Sequence, residues 1–174
     1  MEHSPAAHPG NSPQELVEHM DERGNVLGVV SRSHMRAESL WHRSVFIAVM
    51  SHDGDLLVHQ RSEKKDLWPG WWDVAIGGVL APGEDAEAGA MRELREELGL
   101  TGVRVEPVAT GAYMDKEVKV LGSVFLCISE GPFVYADGEI QQAHWVNPIE
   151  LNNWLGAKNF LPDSVALVLP FLHI

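Results

Sequence analysis

The stretch Gly77–Leu100, GGVLAPGEDAEAGAMRELREELGL, places six acidic side chains and two arginines in 24 positions, yet keeps apolar residues at helical spacing. It predicts a helix over 85–98, with Gly99 marking its end because glycine most easily takes the left-handed conformation past a last turn. At about 100° per residue, Met91, Leu94 and Leu98 fall within one narrow arc, and Glu93, Glu96 and Glu97 gather on roughly the opposite side. Like charges at these spacings repel by a few tenths of a kcal/mol per exposed pair, and Arg92, four residues before Glu96, offsets only part of that. A divalent cation among the three carboxylates would remove the conflict. Oxygen-only ligands suit Mg²⁺ or Mn²⁺ better than Zn²⁺, which favours His or Cys. The plain alternative is a solvated helix face, since runs of charge most often only solvate.

What separates the two readings is a longer pattern: Gly78, Glu84, Arg92, Glu93, Glu96, Glu97 and Gly99 at fixed spacing. With ordinary residue usage, seven such identities coincide by chance on the order of once in 10⁸ placements. The stretch resembles the Nudix box, G-x5-E-x7-R-E-U-x-E-E-x-G-U with U a bulky aliphatic, at every position. That resemblance implies an α/β fold, a Nudix-type α/β/α sandwich with a mixed central β-sheet, in which the box holds Mg²⁺ or Mn²⁺ against a diphosphate. It implies Glu93, Glu96 and Glu97 as metal ligands, the Gly77 carbonyl as a backbone ligand, and Gly78, Glu84 and Arg92 as supports of the loop and helix. Glu93 and Glu139 are both candidates for the general base, the second because DGEI precedes the final strand. Arg61 and Lys64 are the candidate phosphate contacts, within a basic cluster that also holds Lys65.

Outside the box, LLVHQRSEKKDLWPGWWDVAIGG and GEIQQAHWVNPIEL resemble the branch containing isopentenyl diphosphate isomerase and its hydrolase-like relatives. As that family is known, the isomerase uses a cysteine just before the box. WPGWWDVAIGG has none, and the one cysteine, Cys127, sits in an apolar strand context. The resemblance therefore favours hydrolysis of a nucleoside diphosphate linked to another group, with a non-catalytic nucleotide-binding module as the alternative.

The rest of the chain bounds this reading. At 174 residues it fits one domain, expected over 14–174 after a tail over 1–13 rich in His, Pro, Gly and Ser. A formal charge of -12 argues against nucleic acid or anionic lipid as a partner and leaves a small-molecule diphosphate substrate open. A single cysteine, no export-type leader and no apolar run of membrane-spanning length make the cytoplasm the expected location. A monomer and a homodimer are both compatible with the apolar C-terminal segment. Asp53-Gly54 predicts a hairpin over 44–61, and WDVAIGG a single strand over 72–78. Further strands are expected over 103–115, 118–128 and 142–146. A helix over 149–155 follows the N-cap Asn147, and a last one over 164–172 is kinked at Pro170. Trp72 is expected in the core, whereas Trp68 and Trp71 lie in a Pro-Gly loop, able to stack on a base or to cap the sheet. His42, His59 and His144 show no metal-ligand spacing and receive no role in the site.

Overall fold

A computed structural model describes residues 12–172. The tail expected over 1–13 lies outside the described residues except for Ser12 and Pro13, whose carbonyls accept from the N–H groups of Glu15 and Ser33. The chain begins with strands β1 (Leu16–Met20) and β2 (Val26–Ser31), a short helix α1 (Arg32–Ala37), and a long strand β3 (Trp41–Met50). Strands β4 (Leu56–Arg61), β5 (Trp72–Asp73) and β6 (Ile76–Val79) precede the acidic helix α2 (Ala86–Leu98). Strands β7 (Glu106–Met114), β8 (Lys119–Ile128) and β9 (Ile140–Val146) come next, then helices α3 (Pro148–Ala157) and α4 (Pro162–Val168) and a 3-10 turn, Leu169–Phe171.

These elements make an α/β/α sandwich around a mixed sheet. β3 runs parallel to β8 along its whole length, while its pairings with β1, β4 and β6 are antiparallel. Buried from Ser44 through Val49, β3 has the near-continuous burial of a strand covered on both faces. Val45, Ile47 and Val49 pack with Ala90, Leu94 and Leu98 of α2 on one face. Phe46 and Ala48 pack with Leu151 of α3 and Leu167 of α4 on the other. The period-2 alternation of one strand thus separates two cores. Trp72 belongs to the second, as expected, and Cys127 is buried in the first.

Two expectations about strands change here. The hairpin over 44–61 keeps its turn, with Gly54 at φ 87° and Ser51 accepting from its N–H, but only Met50 and Leu56 pair across it. A strand has two edges, and β3 spends one on β8 and the other, from Ser44 to Ile47, on β6. β4 therefore splays away and pairs with β9. The strand expected over 72–78 is correspondingly split. Its first piece, β5, pairs with β4 and its second, β6, with β3, so Val74 and Ala75 cross the wedge between the diverging strands. No local pattern of apolar residues encodes a strand that changes partner halfway.

The helix ends follow the sequence closely. Asp85 caps α2 by accepting from Ala88 N–H, Gly99 takes φ 66° beyond its last turn, and Asn147 caps α3 by accepting from Ile149 N–H. α4 starts earlier than expected, at Pro162, and gives way to the 3-10 turn that contains Pro170. β1 and α1 had no counterpart in the sequence reading. Among the described residues, no helix is long and apolar enough to cross a membrane.

Candidate active site

The faces of α2 differ from the expectation of an apolar stripe opposed by carboxylates. Its buried residues are Gly89, Ala90, Glu93, Leu94, Glu97 and Leu98, which occupy one continuous arc of about 180° at 100° per residue. Glu93 and Glu97 are the acidic half of that arc, 6% and 5% exposed, and Glu96 lies at its edge, half-buried. Ala90 lies between the two halves and Gly89 at the outer edge of the acidic one. Being small, they leave no mark in a pattern read from large apolar residues.

Burying two carboxylates demands cations, and the chain supplies them from two sides. Arg92 donates to both oxygens of Glu84, at 2.8 and 2.9 Å, to Glu93 Oε1 at 2.8 Å, and to Glu96 Oε2 at 3.3 Å. Glu84 also accepts from Ala81 N–H at 3.1 Å, so this one guanidinium ties the loop before α2 to the helix. On the other side the Lys65 ammonium stands 3.8 Å from Glu97 and forms a close ion pair with Glu139. Burial raises the proton affinity of both Glu93 and Glu97, against the pull of Arg92 on the first and Lys65 on the second. Gly78 lies in contact with Glu93: a Cβ there would collide with its carboxylate.

The residues singled out from the sequence divide as follows. Glu84, Glu93 and Glu96 meet at Arg92, Glu93 also faces Gly78, and Glu97 and Glu139 meet at Lys65, while Gly77 packs against the Val45 carbonyl. Arg61, at the end of β4, donates from Nη2 to Leu67 O at 2.9 Å and keeps its Nε buried without a hydrogen bond. Lys64 is exposed, and its neighbour Lys65 is the lysine that turns inward, 10% exposed. Both sit in a tight turn in which Ser62 Oγ accepts from Lys64 N–H and Ser62 O from Lys65 N–H. Two adjacent lysines are indistinguishable by composition, and only the turn decides which one faces the carboxylates. Trp68 and Trp71 stack on each other, with ring centroids 5.9 Å apart, and Trp68 takes φ 47°, rare for a large side chain.

Among the described residues, no three Asp, Glu, His or Cys side chains form a ready metal cage. Arg92 and Lys65 draw the glutamates toward themselves instead. The donor set still fits a hard divalent ion, being all oxygen and acidic, and Lys65 already places one positive charge between Glu97 and Glu139.

Gly77, Gly78, Lys65, Arg61, Asp73 and Asp163 line one pocket. The last two were not anticipated, because Asp73 falls inside an apolar strand motif and Asp163 beside a helix-starting proline. Burial, reinforced by Asp73, pushes the Asp163 carboxyl up to about 7, against the weaker pull of Arg61 and Arg36. A carboxyl raised above its unfolded value stabilises the fold while protonated, and that contribution is lost as pH rises through about 7. Asp163→Asn is therefore expected to raise the melting temperature near pH 8 by several degrees, at about 2–4 °C per kcal/mol, and to leave it unchanged near pH 3, below the ordinary aspartate value. Calorimetric melts at the two pH values check this.

The NUDIX domain family model matches residues 40–164, and the chain belongs to the Nudix family. It is a hydrolase of that family. It is 36% identical over 151 residues to the uncharacterized Nudix hydrolase YfcD of Escherichia coli K12, covering 87% of this chain and 83% of that one. An uncharacterized Nudix hydrolase of Yersinia pestis is 38% identical over 151 residues, covering 87% and 82%. Among solved structures, DR0079 from Deinococcus radiodurans superposes with a TM-score of 0.78 at 25% identity, covering 90% of this chain and 99% of that one. The NUDIX domain of Shewanella oneidensis NrtR, crystallised with ADP ribose, shares the fold at 16% identity and a TM-score of 0.59, covering 80% and 95%.

Proposed function

We propose that the chain hydrolyses the diphosphate linkage of a nucleoside diphosphate joined to a second group, with Mg²⁺ or Mn²⁺ held at the box. The observation that carries this reading is the meeting of buried Glu97 and half-buried Glu139 at Lys65, which with Arg61, Gly77 and Gly78 lines a pocket, while Arg92 holds buried Glu93 on the same helix. Glu93, Glu96, Glu97 and the Gly77 carbonyl would hold the ion. When bound, it neutralises diphosphate oxygens and acidifies an attacking water. Arg92 and Glu84 hold the glutamates in place. Arg61 offers its buried Nε to a phosphate oxygen, with Lys65 beside it in the role first expected of Lys64. Either Glu93 or Glu139 takes the proton from water, and what remains for the protein is positioning and charge stabilisation.

The test is turnover on a panel of nucleotide sugars, dinucleotides and nucleoside di- and triphosphates, with Mg²⁺, with Mn²⁺ and with chelator. Ion-dependent release of a nucleoside monophosphate from at least one of them is expected. Tight binding without turnover on any would instead identify a nucleotide-binding module.

A further inference from the structure

Three consecutive residues in the irregular stretch between β4 and β5 grip three different parts of the molecule. Lys65 reaches Glu97 and Glu139, Asp66 accepts through Oδ2 from Arg32 Nε at 2.9 Å and Arg36 Nε at 3.3 Å, and Leu67 O accepts from Arg61 Nη2 at 2.9 Å. The middle grip ends on α1, which lies before residue 40, where the family match begins. α1 is itself firmly seated. Met35 is buried with Val17 of β1 and Val79 of β6, Arg32 N–H donates to Glu15 O at 2.7 Å, and Arg32 Nη1 pairs with Glu15 at 3.2 Å. An exposed ion pair would add little, but here both guanidiniums are mostly covered, their side chains 7% and 19% exposed, and one carboxylate oxygen takes both. Burial alone would raise the Asp66 carboxyl, yet the two arginines hold it well below the usual aspartate range, so it stays charged at neutral pH.

We infer that Asp66 is a positioning residue: anchored on Arg32 and Arg36, it fixes the turn that presents Lys65 to Glu97 and Glu139, and so makes α1 a brace for the site. Adjacent Cα atoms are about 3.8 Å apart, so the main chain of Lys65 cannot shift far while Asp66 stays anchored. Ser62 O closes the base of the turn by accepting from Lys65 N–H and Gly70 N–H, each at 3.3 Å, and against these neutral bonds the charge-assisted contacts of Asp66 are the stronger anchor. The bearing of the brace on turnover rests on the reading above, that Lys65 meets a diphosphate. Its bearing on where Lys65 stands does not.

Residue-resolved acetylation of lysine amines in the full chain, with chelator present and mass spectrometry as the readout, tests the brace directly. Lys65 is expected to react at least about tenfold slower than exposed Lys64 beside it, which serves as the internal standard. Asp66→Ala is expected to bring Lys65 to within about threefold of Lys64, since two charge-assisted hydrogen bonds are lost. Arg32→Gln should move the ratio the same way, and Arg36→Gln does so more weakly, which keeps the test open should Arg32→Gln fail to fold. The sign matters. Asp66→Ala makes the surroundings of Lys65 more positive and either arginine change makes them less so, so an influence through charge alone would move the ratio in opposite directions. An unchanged ratio in Asp66→Ala, or opposite shifts in the aspartate and arginine variants, overturns the brace. In turnover, Asp66→Ala is expected to raise KM for a diphosphate substrate about fivefold or more with kcat changed less, and to add under about twofold in a Lys65→Met background. Equal effects in the two backgrounds overturn it as well. If the unaltered chain cleaves nothing in the panel while the labelling ratio responds, the hydrolase reading falls and the brace stands.

Discussion

Glu97→Gln is expected to lower Mg²⁺-dependent turnover by about 10²–10⁴-fold while the protein keeps its fold. Glu97 is buried in the acidic half of α2 and lies 3.8 Å from the Lys65 ammonium. The amide keeps the shape and removes the charge that would hold an ion. Uptake of Mn²⁺, measured by calorimetry, should weaken by about tenfold or more, while the melting temperature stays near that of the unaltered chain. The parallel changes Glu93→Gln and Glu139→Gln separate two roles. A residue that only accepts the proton loses turnover with ion uptake intact, and one that also ligates loses both. If Glu97→Gln kept full turnover with unchanged ion uptake, the metal reading of the box would fail.

Gly77→Ala should produce the largest loss of stability among single methyl additions to the site. A Cβ at Gly77 would fall on the Val45 carbonyl, which is backbone in the centre of the sheet and has nowhere to go. Val45 and Phe46 pair with Gly78 and Gly77, so the clash pries β6 from β3. A cost of about 3 kcal/mol is expected, lowering the melting temperature by roughly 10 °C. Gly78→Ala makes the control, since its Cβ would meet only the end of the Glu93 side chain. It should cost less stability and more activity. Thermal melts and turnover on the same two variants decide whether the glycine pair serves the sheet and the carboxylates separately.

The sequence made the end of the acidic helix and the start of α3 plain because Gly99 and Asn147 act within one turn of where they stand. Most strands were legible for the same local reason. What could not be read was partnership. Nothing in WDVAIGG says that Asp73 will pair with His59 while Ile76 pairs with Ile47. The carboxylates of the box were visible as a spaced motif, yet their burial was not, because Gly89 and Ala90 make the helix sink where large residues would have announced it. Lys65 and Asp163 reach the site through a turn and a distant helix start, contacts set by tertiary packing.

The crossing residues Val74 and Ala75 also act as a gauge. Asp73 is fastened to β4 and Ile76 to β3, and three residue steps of extended chain reach at most roughly 10 Å. However the surrounding loops shift, that covalent link caps the distance the two strands can separate beside the pocket that Asp73 and Ala75 line. Ligand girth at this point is limited by a length of backbone, and widening the cleft would take an insertion there, where trimming side chains would achieve little.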